Sequence, residues 1–275
     1  ATNRRVNRAS DDPSAYGRAR QLEALGERHT QYQRSIMSAR AWVDTSQAAL
    51  DQLGELFTQI YEEGVRFANG THSAEDRQTG VRALESLLGA VTEQLNTRLG
   101  DEFVFAGSRT AAPPPPAPQT PFTLTGTTLA YHGNDADRTR QLGRDLTMPV
   151  NVTGQDLFTV GTAPPLTLSD VMNNLMTAVG TGDPAQLDAA LAEIPRARDH
   201  VVNYAGEAGN TGSRLQLAER QLADTALLVE AERGAVEDID LADVLMRQQR
   251  AQTGLQASLT VASSLLRTSI LDYLR

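Results

Sequence analysis

Two apolar stripes of heptad spacing stand on either side of a proline-rich interruption, the first in alternating steps of three and four. The first runs through Ile36, Ala39, Val43, Ser46, Leu50, Leu53, Phe57, Ile60, Gly64 and Phe67. Such spacing keeps one helix face apolar over many turns, and that face needs a partner surface of similar length. Asn69 and Gly70 read as its stop. A further run follows at Val81, Leu84, Leu88, Val91 and Leu95 after a short polar link, so the two helices are expected to form an antiparallel hairpin. Towards the other end of the chain, Leu215, Leu222, Val229 and Val236 recur in steps of seven. Residues 241–275 carry a last run at Leu241, Leu245, Leu255, Leu259, Ala262, Leu266, Ile270 and Tyr273. The simplest way to bury both stripes is against each other, which brings the two ends of the chain together.

Local signals place the element boundaries. Asp12 can cap a helix whose first residue is Pro13, because proline lacks only an amide that would stay unbonded there. Half of the 12 prolines fall between Pro113 and Pro121, a composition that makes a stiff, extended spacer. Short β-type runs follow at Phe122 to Thr125, Thr128 to Tyr131 and Met148 to Val152, divided by Gly126, Gly133-Asn134 and Gly154. Ser169 or Asp170 is expected to cap a short helix through Val179, and another helix starts near Pro184. Pro195 predicts a kink or break by deleting one intrahelical bond, and Gly206, Gly209 and Gly212 predict a second weak point. The expected fold is mainly α: an elongated antiparallel helical bundle or coiled coil with a small β-rich insertion. Its expected parts are an N-terminal helical half (1–110), a Pro-rich linker with the β-rich insertion (111–165), a C-terminal helical half (166–240) and a terminal helix (241–275).

Composition narrows the function. The 275-residue chain has 25 cationic residues, all arginine, against 34 acids, for a net charge of -9. A surplus of acids argues against a duplex nucleic-acid partner. No apolar run reaches the roughly 20 residues that a membrane span needs, so no membrane insertion is expected. The absence of cysteine excludes disulfides and thiolate chemistry without fixing a compartment. Residues 1–8 lack the apolar stretch of a cleaved secretion signal. His29, His72, His132 and His200 have no ligand spacing. Asp135 and Asp137 lack the remaining ligands of a calcium loop and read as a turn. Trp42 reads as packing, and Glu62 and Glu63 as solvated. No catalytic, cofactor-binding or metal-binding residues emerge, and no enzyme activity is expected.

The C-terminal run is apolar on more than one side: Val261, Leu265, Leu266, Ile270, Leu271 and Leu274. Such a surface does not persist in water without a cover. Two readings stand. The segment is a core helix of its own chain, or it is ordered by neighbouring subunits.

The ends of the chain also carry recognisable strings. Val6-Asn7-Arg8-Ala9-Ser10-Asp11-Asp12-Pro13 resembles the N-terminal signature of the bacterial flagellin family. Asp240-Leu241-Ala242-Asp243, Gln256-Ala257-Ser258-Leu259 and Ser269-Ile270-Leu271-Asp272-Tyr273-Leu274 resemble its C-terminal signature. Ala68-Asn69-Gly70-Thr71 sits where flagellins turn between their long core helices. Three further strings resemble the branch of the family that joins hook to filament: Phe103 to Thr110, Tyr131 to Asn134 with Arg138, and Val150 to Phe158. Thr58 to Glu63 lacks the arginines that filament flagellins carry on the first long helix.

The resemblance implies a flagellin-type helical shaft, export in an unfolded state, and a place in the extracellular flagellum between hook and filament. It implies self-assembly into a ring, contact with another hook-associated protein and with flagellin, and an export chaperone that holds the terminal helix. It also places some opening residues of the family before Ala1. The candidate shaft and subunit packing residues are Ile36, Val43, Leu50, Leu53, Phe57, Ile60, Leu84, Leu88, Val91, Leu95, Leu215, Leu222, Val229 and Val236. The candidate assembly and chaperone residues are Leu255, Leu259, Leu266, Ile270, Leu271 and Leu274. A minor filament flagellin is a second reading. A surface binding module is a third, with Tyr131, His132, Arg138, Arg140 and Arg144 of the insertion as its ligand residues.

Overall fold

The computed structural model describes residues 5–6, 8–69, 72–112, 117–161, 165–238 and 240–273, and side chains throughout these except at 241, 243 and 265–273. The chain divides into two compact units, residues 1–29 with 223–275 and residues 30–222. Two helices, α1 (Pro13–Arg66) and α5 (Pro184–Glu237), contribute to both.

In the larger unit, α1 is followed by α2 (Ala74–Leu95), and α4 (Leu168–Thr181) leads into α5. Their seams meet in one core. Ile36, Leu50, Leu53, Phe57, Ile60, Leu84, Leu95 and Leu215 are all 0% exposed, and Val43, Leu88 and Val91 are at most 2% exposed. Leu222 is half-buried at its edge. The direction of α5 against α1 follows from three levels. A Cβ on Gly64 would lie 2.7 Å from Leu191, one on Gly54 would lie 3.5 Å from Val202, and Arg40 pairs with Glu219 at 3.1 Å. Numbers rise on one helix as they fall on the other, so the pair is antiparallel. At Gly64 the approach is so close that any side chain would push Leu191 away.

Helix ends follow the expected chemistry in most places. Asp12 Oδ1 accepts from the Ser14 and Ala15 amides at 3.1 and 3.0 Å, and α1 begins at Pro13. Helix α1 ends at Arg66, just before Asn69, while Gly70 lies outside the described residues. Helix α2 opens on a reciprocal box in which Ser73 caps Asp76 and Asp76 caps Ser73. The cap of α4 is Thr167, not Ser169 or Asp170. Asp170 is instead the third helical residue, reaching back to the Thr167 amide at 2.8 Å. Ser169 accepts the Leu129 amide at 3.0 Å.

The expected break at Pro195 is absent, because α5 runs through it. A mid-helix proline costs on the order of 3 kcal/mol. Its neighbours Ile194 and Ala197 are both 0% exposed, so core packing on either side offsets the loss. Gly206, Gly209 and Gly212 likewise lie inside the helix.

Between α2 and α4 the described residues build four short antiparallel hairpins. They are β1 (Arg98–Leu99) with β2 (Glu102–Phe103), β3 (Phe122–Thr125) with β4 (Thr128–Tyr131), β5 (Thr139–Gln141) with β6 (Thr147–Pro149), and β7 (Thr159–Val160) with β8 (Leu166–Thr167). A one-turn helix α3 (Gly154–Phe158) precedes β7. Phe122, Leu129, Leu142, Met148, Val150 and Leu157 belong to the same hydrophobic core as the helical seams. The β-rich stretch is therefore packed onto the bundle. Asn96 secures it by pairing its side-chain amide with both backbone groups of Phe122, at 2.8 and 2.9 Å.

The smaller unit has a thin core. Val6, Ala15, Ala19, Leu22 and Val229 are 5 to 9% exposed, and Val236 is half-buried. The Arg5 amide donates to Glu237 O at 2.6 Å, which joins the first residues of the chain to the end of α5. The last helix, α6 (Leu241–Tyr273), belongs to this unit.

Candidate assembly surface

The described apolar residues of α6 point outward. Leu245, Leu255, Leu259 and Val261 are 57 to 63% exposed, and every described residue from Val244 to Ser264 is exposed. This separates two groups of sequence-derived candidates. The seam residues from Ile36 to Leu215 are spent inside their own chain. Leu255 and Leu259 are available to another surface. The side chains of Leu266, Ile270 and Leu271, and all of Leu274, lie outside the described residues.

The three strings from the insertion come together in space. Tyr131 Oη donates to Phe105 O at 3.2 Å and to Asn134 O at 2.8 Å. Burial, the largest cause, holds the phenol neutral and pushes its pKa up to about 12. Asn134 and Ser108 exchange two hydrogen bonds, each 2.8 Å. Gly107 has φ +69° and its α-carbon faces Asn134, so a side chain there would be strained and would also clash. Gly133 lies against the Tyr131 ring, and Gly154 is wedged among Phe105, Phe122 and Tyr131. The strings are therefore scaffold. Their small residues permit close backbone approach, and Tyr131 ties them together.

The same geometry answers the proposed ligand residues of the insertion. Tyr131 is engaged internally, and His132 Nε2 lies 2.8 Å from Thr123 Oγ1. Arg138 makes a two-pronged bond to Glu102, Nη1 to Oε1 at 3.0 Å and Nη2 to Oε2 at 2.7 Å. Its guanidinium also lies 4.0 Å from the centre of the Trp42 ring on α1. Arg144 is exposed and Arg140 half-exposed. These side chains do not converge on one ligand site. An open cleft of about 620 Å³ lies nearby, lined by Phe103, Arg109, Pro118 and His132 among others.

Sequence reasoning missed the Glu102, Arg138 and Trp42 cluster. Trp42 is 2% exposed, in keeping with a packing role. What could not be read is what covers it, since the three residues lie far apart along the chain. His72 and His200 serve local structure, whereas His29 Nδ1 is buried without a hydrogen-bond partner among the described residues. His72 Nε2 lies 2.8 Å from Arg66 O, and His200 Nε2 lies 2.8 Å from Asp156 O. Glu62 is exposed, but Glu63 is largely covered and pairs with Arg66 at 3.1 Å. Among the described residues no group of three or more acidic or histidine side chains could hold a metal ion, and no helix is long and apolar enough to cross a membrane.

The bacterial flagellin N-terminal helical region matches residues 1–110, and the bacterial flagellin C-terminal helical region matches residues 191–274. The chain belongs to the bacterial flagellin family. The two matched regions of this flagellin-family chain meet in the antiparallel pairing of α1 with α5. No curated protein matches the chain. Among solved structures, a chain described as a flagellar hook-associated protein from Vibrio parahaemolyticus is 22% identical with a TM-score of 0.73. That likeness covers 83% of this chain and 100% of the other. Flagellar hook-associated protein 3 from Legionella pneumophila is 13% identical with a TM-score of 0.67, over 78% of this chain and 97% of its own. FlgL from Bacillus cereus is 18% identical with a TM-score of 0.62, over 78% of this chain and 99% of its own. At these identities the likeness establishes a shared fold.

Proposed function

We propose that this flagellin-family chain is a structural part of the bacterial flagellum, an adaptor that joins the hook side to the filament. The observation that carries the reading is the exposed apolar stripe of α6 on a flagellin-type bundle. Leu255 and Leu259, with Leu266, Ile270, Leu271 and Leu274, would be covered by adjacent subunits in a ring. Before assembly the same residues would be held by an export chaperone. Similarity to hook-associated proteins across nearly their whole length supports the junction over the filament, as does the arginine-free stretch Thr58 to Glu63. Its place would be extracellular, beyond the hook and against another hook-associated protein. The chemistry is mechanical: it needs packed seams and unfilled ends, and no reacting group.

Deletion of the gene tests this directly. Cells should build hooks and release flagellin into the medium without filaments. Normal filaments on such cells would reject the junction role. Immuno-electron microscopy separates the runner-up, a minor filament flagellin, because label along the whole filament would favour it over a spot at the hook end.

A further inference from the structure

We propose that Glu102, Arg138 and Trp42 form an acid-releasable latch that holds the β5–β6 hairpin against α1. The two halves of the insertion are fastened differently. The β3–β4 hairpin is held by uncharged groups: the Asn96 pair to Phe122, the Ser169 hydroxyl on Leu129, and the Tyr131 phenol. None of these three changes charge in the acid range, and the imidazole beside this hairpin, His132 at 2.8 Å from Thr123 Oγ1, is exposed. Arg138, one residue before β5, is held by a carboxylate. Its fork on Glu102 fixes the guanidinium 4.0 Å from the centre of the Trp42 ring, where the cation is attracted to the ring. The side chain of Glu102 is 43% exposed while that of Arg138 is 16% exposed. Protons therefore reach the carboxylate without any prior opening, and the buried indole lies beneath the fork.

The surrounding charges are few. Glu102 also accepts from the Thr110 hydroxyl at 2.8 Å and feels the charge of Arg140 on β5. Arg138 donates its backbone amide to Asn151 Oδ1 at 2.7 Å, a neutral bond that survives acid. On α1 the charges flanking Trp42 are occupied elsewhere, since Arg40 pairs with Glu219 and lies 3.9 Å from Asp44. The Arg138 bond, followed by Thr110 and the two arginine charges, outweighs desolvation and holds the Glu102 carboxyl below its usual pKa. Protonation of Glu102 removes one acceptor of the fork and its charge. A carboxylic acid cannot hold both guanidinium prongs, so Arg138 turns to solvent and uncovers Trp42. The inference does not depend on the flagellar role.

Trp42 is the chain's one tryptophan, so its fluorescence reports the latch directly. In the full chain, acidification to below the ordinary glutamate range should shift the emission to longer wavelength while far-ultraviolet dichroism stays constant. Relative to the intrinsic exchange rate at each pH, protection of the β5–β6 amides should fall at least about tenfold, and that of the β3–β4 amides should be unchanged. Glu102→Gln, which keeps the shape but not the charge, should show the shifted emission at neutral pH and no further acid step. Arg138→Met should behave the same way. If Glu102→Gln keeps the wild-type emission and exchange at neutral pH, the latch is refuted. Loss of helical dichroism at the same pH as the emission shift would also refute it, because the change would then be global. Should both variants fail to fold, the acid titration of the unaltered chain decides.

Discussion

Helices α1 and α6 carry the same kind of apolar spacing and meet opposite fates. Along α1, Leu50, Leu53, Phe57 and Ile60 are 0% exposed, because α2, α4 and α5 supply facing surfaces in the same unit. Along α6, Leu255 and Leu259 are 63% and 62% exposed. A heptad stripe therefore announces that a partner is needed without saying whose chain supplies it. What separates the two is the composition of the neighbourhood. Three other helices with matching seams accompany α1, whereas none of the described residues from Val244 to Ser264 of α6 meets such a seam.

The contrast can be tested in order of expected effect. Phe57→Ala should cost about 3–5 kcal/mol in urea unfolding of the monomer, since it opens a cavity in a closed core. Leu255→Ala should change monomer stability by less than about 0.5 kcal/mol. In cells the ranking should reverse, with paired changes at Leu255 and Leu259 abolishing filament attachment while the purified monomer keeps its melting temperature. Equal destabilisation by the Phe57 and Leu255 substitutions would erase the distinction. Gly64→Val should cost about 1–3 kcal/mol by forcing Leu191 off its site, a loss that Leu191→Ala should partly relieve in a double-mutant cycle. Thr167→Ala should cost about 1 kcal/mol through the lost cap of α4.

The smallest effect is a pH dependence. The Ser73 hydroxyl and amide bind the Asp76 carboxylate and hold its pKa below 3.8. A carboxylate with a lowered folded pKa stabilises the protein above its unfolded value, and that contribution disappears as the pH falls through the lowered one. Thermal melts from neutral pH into acid should therefore fall less steeply in Ser73→Ala than in the unaltered protein. Identical slopes would remove Asp76 from the acid response.

The helical part of this architecture was largely visible in the spacing of Ile36 to Phe67 and Val81 to Leu95, because burying a long seam demands periodicity. The hairpin from Phe122 to Tyr131 was visible for a related reason, with β-type runs on either side of Gly126. Strand β5 was not, since Thr139, Arg140 and Gln141 are polar and their pairing with β6 is set by the turn and by Leu142 beneath. The break expected at Pro195 failed because local propensity was outweighed by burial on both sides. The opening of α1 before Gln31 shows little apolar period, and Asp12-Pro13 alone marks where it begins. Least legible was the cover over Trp42. Its parts are distant in sequence and gain meaning only when Arg138 reaches across to Glu102.

The bond between Arg5 and Val236 joins residues 231 positions apart. A loop of that length must close before the smaller unit can exist, and its entropic cost is met only once the partner stretch is present. Arg5 therefore finds its partners only after the end of α5 has been made. The hairpins between α2 and α4 need only nearby sequence and can form early. The larger unit thus has local contacts to start from, and the smaller unit depends on a pairing across 231 positions.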